Sequence, residues 1–367
     1  MTELIISVLV ISGIGAVLAL LLELADMFIA DYGECQILIN QEKELKVQGG
    51  SPLLFSLQDE GIFIPSACGG KGTCAYCKVK VLQGGGPVLP TETPYLSAKE
   101  MEENVRLSCQ VKVRNDLAIE IPEDLFLIKE YKVKVDRLED LTPYIKGLTL
   151  AIVEPKEGII FKPGQYIQLE IPKYKLSRIP EFRAFSMASF PEENQKVELY
   201  VGLVEKGIVS TYIHDYLKER DELIMRGPFG DFYYRDSDRE ILMIATGTGL
   251  APIMSILRYI RKENIPKKTT LFFGTRTEED LYCVEELEDL EKQLSNFTFV
   301  PTLSRAPDDS QWEGERGRVT VLIDKYIPQG ANLDVYICGN AEMVESCLEI
   351  LNEKDIPLDQ IYFDKFD

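Results

Sequence analysis

The sequence predicts a multidomain chain of mixed α+β and α/β class. Its expected parts are an N-terminal transmembrane helix, a β-grasp module, an antiparallel β-barrel and an α/β domain with a parallel sheet. Three observations predict this. Leu4–Leu22 is a run without a charge. Cys68, Cys74, Cys77 and Cys109 sit in and beyond a glycine-rich loop. After them, short strand-like runs broken by Pro and Gly give way, from Arg239, to alternating strands and helices. A length of 367 residues exceeds one compact core. The expected parts are 1–30, 34–127, 130–232 and 239–367.

The uncharged run comes first. As a helix rising about 1.5 Å per residue it spans about 28 Å, close to the hydrocarbon thickness of a bilayer. A cleaved signal would want Lys or Arg at its start, and the chain begins Met1-Thr2-Glu3. A buried core helix is the alternative to a lipid anchor through residues 4–22. No Lys or Arg precedes Lys43, so flanking charge does not orient the segment. A net charge of −20 argues against a nucleic-acid partner, whose binding face would be basic.

The cysteine loop reads Ser66-Ala67-Cys68-Gly69-Gly70-Lys71-Gly72-Thr73-Cys74-Ala75-Tyr76-Cys77. Its glycines let the backbone bend tightly with amide N–H groups turned inward. Such a loop suits an iron–sulfur cluster, whose irons take thiolates and whose sulfides accept hydrogen bonds. The spacing C-x5-C-x2-C with a distant fourth Cys fits one 2Fe-2S cluster and matches the vertebrate-type ferredoxin loop. Two disulfides could use the same residues, but a Gly-rich C-x2-C turn is poor disulfide material. A structural zinc would prefer two C-x2-C pairs, and one is present. The single histidine, His214, excludes a two-histidine Rieske centre. The other cysteines, Cys35, Cys283, Cys338 and Cys347, fit free thiols in a reducing compartment. With the nucleotide-type motifs downstream, they lead us to expect the bulk of the chain on the cytoplasmic side, in a single-pass protein of the cell inner membrane.

Around this loop, 35–40 and 44–47 read as a hairpin and Pro52–Glu60 as a short helix with Leu53, Leu54 and Leu57 on one face. Val79 and Val81 alternate with lysines, and so do Val111 and Val113 with polar residues, as strands should. Ser97-Ala98-Lys99-Glu100 is a capping-box pattern. From Tyr131 to about Phe232, five strand runs with one helix, Val209–Lys218, suggest a small barrel.

Arg183-Ala184-Phe185-Ser186 lies in the barrel, with Pro163-Gly164-Gln165-Tyr166 before it and Gly227-Pro228-Phe229-Gly230 after it. These strings, in this order, resemble the ferredoxin-NADP reductase superfamily. The resemblance implies FAD. Arg183 would pair with its pyrophosphate, Phe185 would lie on the isoalloxazine, and Ser186 would donate to flavin N5. Gly207-Ile208-Val209-Ser210 resembles the second phosphate loop, where a helix N-terminus offers free N–H groups. For Arg183 alone, an edge-strand arginine is the plain alternative.

Gly247-Thr248-Gly249 follows the first strand of the α/β part and opens a helix, so it could take a pyrophosphate or be an ordinary tight turn. It resembles the superfamily's nicotinamide loop. Cys338-Gly339 resembles the late motif whose Cys stands beside nicotinamide C4, with Asn340 where Pro is usual. A small buried residue ending a strand is the other reading of Cys338. Arg276 is expected at the adenosine ribose. Glu278, Glu279 and Asp280 would repel a 2′-phosphate, which favours NADH as the substrate dinucleotide. Phe366 resembles the terminal aromatic that covers the flavin face, although a terminal strand filling the core would also place it.

The order anchor, ferredoxin module, flavin barrel, nicotinamide domain resembles one family over nearly the whole chain. It is the family of NADH-oxidising F subunits of sodium-translocating NADH:quinone reductases. The runs Arg183–Ser189 and Gly274–Leu287 and the tail Ile361–Phe366 carry the likeness. It implies an oxidoreductase that takes hydride from NADH to FAD and single electrons to the cluster. It also implies partners among the membrane subunits of a quinone reductase complex. A soluble reductase serving an oxygenase, or a redox sensor without turnover, are the alternatives.

Overall fold

The computed structural model describes residues 6, 10, 12–20, 32–307 and 310–366. Of the expected anchor over 4–22, residues 4, 5, 7–9, 11, 21 and 22 lie outside them. Residues 12–20 are helical and exposed. Among the described residues no helix is long and apolar enough to cross a membrane. Two compact units follow, divided between Ile128 and Lys129.

In the first unit, Glu34–Ile39 (β1) buries alternate residues Cys35, Ile37 and Ile39. The chain then reverses through left-handed Asn40 and Gln41 into Lys43–Gln48 (β2). The Asn40 carboxamide is held across the sheet, with Nδ2 donating to Ile121 O and Oδ1 accepting from Ile121 N–H, both at 2.9 Å. The sheet adds Lys78–Gln83 (β3), Val105–Leu107 (β4) and Leu117–Glu120 (β5) in the order β2-β1-β5-β3-β4. Only β1 and β5 run parallel. Helix Leu53–Asp59 (α1) lays Leu53, Leu54 and Leu57 in the core that holds Ile37, Ile119 and Val79. This is a mixed sheet folded over one helix.

The strand expected at Val111 and Val113 is not formed. Both valines are buried in the core, but their backbone is spent on the start of α1. Leu53 N–H donates to Val111 O at 2.7 Å, and Gly50 N–H donates to Val113 O at 2.7 Å. The strand begins beyond them, at Leu117, with Leu117 and Ile119 buried. The capping box at Ser97 does form. Ser97 Oγ accepts from Glu100 N–H, and the Glu100 carboxylate accepts from Ser97 N–H, opening Ala98–Glu102 (α2).

The second unit starts with an antiparallel barrel. Its strands are Lys129–Thr142 (β6), Ile145–Glu154 (β7), Tyr166–Ile171 (β8), Glu181–Ser186 (β9), Lys196–Gly202 (β10) and Glu222–Phe229 (β11). Their order is β10-β7-β6-β11-β8-β9. The ends meet where Met187 bridges Leu199 and Ala188 N–H donates to Glu198 O at 2.8 Å. Closure removes the exposed edges that an open sheet would carry. Helix Ile208–Asp215 (α3) buries Val209 and Ile213 in the barrel core. Strand β11 is not among the runs expected from the sequence, because Gly227 and Pro228 interrupt its hydropathy.

The same unit ends in a parallel sheet. Its strands are Glu240–Thr246 (β12), Thr269–Thr275 (β13), Phe297–Leu303 (β14), Glu315–Arg316 (β15), Leu333–Asn340 (β16) and Ile361–Phe366 (β17). They run in the order β15-β14-β13-β12-β16-β17. Strand β12 is a continuous apolar run because both faces are covered. Met243 and Ala245 meet Leu250–Lys262 (α4) and Val284–Gln293 (α5). Leu242 and Ile244 meet Val319–Tyr326 (α6) and Ala341–Glu353 (α7).

Barrel and parallel sheet share a polar seam. Arg258 on α4 donates to Ala188 O at 2.8 Å and Glu198 Oε2 at 2.5 Å on the barrel side. It also donates to both carboxylate oxygens of Glu286 on α5 at 2.8 Å. Ser255 Oγ donates to Ser189 O at 2.7 Å.

Candidate active site

The cysteine loop bends through left-handed Gly69, Gly70, Gly72 and Ala75, between β-grasp elements α1 and β3. These bends bring the thiols together in two pairs. Cys68 and Cys74 stand 3.4 Å apart at the sulfurs, and Cys77 and Cys109 stand 3.3 Å apart. All four are free thiols. The first pair is half-buried, while Cys77 and Cys109 are buried. Backbone N–H groups of Thr73 and Cys74 aim at the Cys68 sulfur, that of Tyr76 at Cys74 and that of Gly72 at Cys109.

In each pair one thiol gives up its proton easily. The hydrogen bond from Cys74 holds Cys68 below the usual thiol range, and the one from Cys77 lowers Cys109. Their partners are held correspondingly high. Among the described residues no group of three or more His, Cys, Asp or Glu side chains converges to hold one metal ion. Two dithiol pairs lined by inward amides fit a two-iron cluster, in which bridging sulfides complete each iron. They do not fit a single four-thiolate zinc.

In the barrel, β9 presents Arg183 and Phe185 half-buried and Ser186 buried. Arg183 donates through Nη1 to Phe182 O at 2.6 Å, and its guanidinium lies 3.6 Å from Glu181. Phe185 packs on the barrel core that holds Val209. Val209 has its side chain buried, so it can serve a ligand only through its backbone N–H. Gly207 precedes α3 where space is short: a Cβ there would sit 2.5 Å from Ser210 Oγ. Ser210 Oγ accepts from Val204 N–H at 3.2 Å, which folds the turn back on itself. His214 lies further along α3, with Nε2 2.9 Å from Val201 O, in a packing role.

In the parallel sheet, Gly247–Gly249 forms the turn between β12 and α4, with Gly247 left-handed. Tyr282 Oη donates to Gly247 O at 2.9 Å. Thr248 reaches the barrel, where a Cβ on Gly202 of β10 would come within 3.3 Å of its methyl. Gly249 lies on the backbone of Cys338 and Gly339. The Cys338 thiol is fully buried, and burial raises it well above the usual thiol range, with Asp364 adding to the effect. Asp364 faces it in register across β17, and two residues on, Phe366 faces Asn340. Phe366 is half-buried against the core shared by α4 and β12. Cys338, Gly339, the Gly247–Gly249 turn and Phe366 thus gather at the carboxyl end of the sheet, where open α/β folds bind ligands. Asn340 caps α7 by accepting Met343 N–H at 2.9 Å, which gives the residue after Gly339 a structural job.

Arg276 follows β13 and is exposed, with its carbonyl taking Arg305 N–H at 2.8 Å. Of the acidic run after it, Asp280 is spent on a capping box with Thr277. Arg258, which ties the nicotinamide-type sheet to the barrel, is not singled out by the sequence. Its one signal there is a lone charge inside the buried run Ile253–Ile260.

Residues 37–114 match the 2Fe-2S iron-sulfur cluster binding domain, 132–234 the oxidoreductase FAD-binding domain and 243–349 the oxidoreductase NAD-binding domain. The F subunit of the Na(+)-translocating NADH-quinone reductase of Neisseria meningitidis serogroup C is 34% identical, over 99% of this chain and 99% of its own. The chain belongs to that family of F subunits. The relative in Methylococcus capsulatus is 32% identical over 100% of both chains. Among solved structures, the Amycolatopsis cytochrome P450 reductase GcoB has a TM-score of 0.74 at 25% identity, covering 90% of this chain and 98% of its own. The ferredoxin reductase in carbazole 1,9a-dioxygenase has a TM-score of 0.70 at 27% identity, covering 91% and 98%. As a member of the F-type family the chain is an NADH-dependent oxidoreductase with FAD- and 2Fe-2S-binding domains.

Proposed function

We propose that this chain is the electron-input component of a membrane NADH:quinone reductase complex. The carrying observation is that one polypeptide, matched end to end by F-type relatives, holds both two dithiol pairs and a flavin-type barrel sealed against a nicotinamide-type sheet. When bound, FAD accepts hydride as a pair of electrons and the cluster carries electrons singly.

The residues divide the remaining work. Arg183 would pair with the FAD pyrophosphate, and the N–H groups of Val209 and Ser210 at the helix start would complete that cradle, beside the Gly207 turn whose own N–H donates to Val204 O at 2.9 Å. Phe185 would support the isoalloxazine, and Ser186 would hold a hydroxyl at N5. Gly247, Thr248 and Gly249 take the NADH pyrophosphate, and Arg276 takes the adenosine ribose. Gly339 would let the dinucleotide approach, and the neutral Cys338 thiol would pack beside nicotinamide C4. Phe366 would cover the flavin face and would have to move aside for the nicotinamide. Cys68, Cys74, Cys77 and Cys109 hold the irons.

Leu4–Leu22 serves as a single-pass anchor to the inner membrane, with the catalytic domains cytoplasmic and the complex's membrane subunits as partners. The uncharged length of the run and the helical, exposed residues 12–20 support this.

Anaerobic addition of NADH to the pure protein should bleach flavin and cluster absorbance together; bleaching of neither refutes the proposal. Release from membranes should need detergent, and release by salt alone would favour a soluble oxygenase reductase. Cys338→Ala should slow hydride transfer roughly tenfold, the about 1.4 kcal/mol that one positioning contact supplies. An unchanged rate would remove that role.

A further inference from the structure

The carboxamide of Gln110 lies where no role above requires one. Gln110 directly follows Cys109 in the chain. Its Nε2 is 3.6 Å from Cys109 Sγ in donor geometry, and its Oε1 accepts from Thr91 Oγ1 at 3.0 Å. The cysteine loop passes beside the same amide, because a Cβ on Gly72 would sit 2.6 Å from Nε2. One carboxamide is thus wedged between a ligand sulfur, the loop that carries the other ligands, and Thr91.

Thr91 is itself held in place. Its neighbour Glu92 is fully buried and accepts from Arg106 Nε at 2.9 Å, Arg106 Nη2 at 2.6 Å and Leu107 N–H at 3.0 Å. Arg106 also donates to the carbonyls of Gly85, Gly86 and Pro87. A buried ion pair therefore fixes the position from which Thr91 steers the Gln110 amide.

We propose that Gln110 sets the reduction potential of the cluster by donating its amide N–H to the Cys109 sulfur, with Thr91 as the residue that orients the amide. Reduction adds negative charge to the cluster, part of which resides on the thiolate sulfurs. A donor aimed at such a sulfur stabilises the reduced state more than the oxidised one and raises the potential. Gln110 is a tuning residue and not a ligand. The inference rests on reading the four cysteines as a two-iron site.

The test is an anaerobic redox titration of the full chain, followed by electron paramagnetic resonance with iron and sulfide assayed. Gln110→Leu keeps the bulk and removes the donor, and should shift the midpoint downward at unchanged iron content. Gln110→Glu should shift it further down, because a carboxylate then faces the sulfur. Thr91→Val should give a smaller shift in the same direction. An unchanged midpoint in Gln110→Leu with full iron content overturns the proposal. Should that variant lose its iron, Thr91→Val decides: a lower midpoint supports the proposal and an unchanged one overturns it. A wild-type protein with no iron and no spin signal would instead sink the cluster reading itself.

Discussion

The backbone of Cys338 lies directly on Gly249: a Cβ at residue 249 would sit 2.1 Å from the Cys338 carbonyl oxygen. The turn that opens α4 and the strand that carries the buried thiol are therefore one surface. Gly249→Ala must push them apart. It should cost about 1–3 kcal/mol, the usual penalty of forcing an extra carbon into a packed site. It should slow NADH oxidation by more than the stability loss explains. Thermal unfolding together with stopped-flow reduction by NADH checks both, and a variant with wild-type hydride transfer would show that this approach does not shape the site.

Glu92 and Arg106 form an ion pair inside the first unit, with side-chain exposures of 0% and 5%. Burial alone would raise the Glu92 carboxyl, but Arg106 and the N–H groups of Leu89 and Leu107 outweigh it and hold the group low. The folded value lies below the unfolded one. Its stabilisation is therefore full above about pH 4.3 and is lost as pH falls through the lowered value. Glu92→Gln strands a buried guanidinium and should cost about 3–5 kcal/mol. Acid unfolding, followed by loss of cluster absorbance, should set in at a higher pH in this variant than in wild type. Equal acid sensitivity of the two proteins would contradict the assignment.

Arg258 ties α4 and α5 to the barrel segment that follows Arg183–Ser186. Arg258→Ala should destabilise the second unit by about 1–3 kcal/mol, a range that allows for partial exposure of Glu198 and Glu286. Arg258→Lys should recover less than half of this, since an ammonium cannot reproduce the forked contact to Glu286. Calorimetry of the two variants decides, and full rescue by lysine would reduce the seam to simple charge.

Burial pushes the Cys347 thiol up to about 12 and the Cys283 thiol up to about 11. Unfolded thiols ionise near about pH 8.5. The folded values are the higher, so these thiols give their full stabilisation below about pH 8.5 and lose it as pH rises toward the folded values. The melting temperature should fall over that window, and less steeply in Cys347→Ala. Parallel slopes would contradict this.

Much of the architecture is legible in the sequence because its signals are local. Glycines and paired cysteines mark the loop, and a continuous apolar strand followed by Gly247–Gly249 marks the start of the α/β part. The strand at Leu117 is not legible, because Val111 and Val113 alternate just as well and only their tertiary hydrogen bonds to the start of α1 exclude them. The sulfur pairing, the seam at Arg258 and the bridge from Thr91 to Gln110 are not legible either. Each joins residues whose proximity depends on the completed fold, and neither a lone arginine nor a lone glutamine carries a motif.

The most direct test is an anaerobic titration with NADH, monitored by flavin absorbance and by electron paramagnetic resonance in the same samples. NADH should bleach the flavin and raise a reduced two-iron signal stoichiometric with the chain. Flavin that bleaches while an iron-loaded cluster stays silent, or a folded chain that binds neither cofactor, would contradict the assignment of paired and single electron steps to one polypeptide.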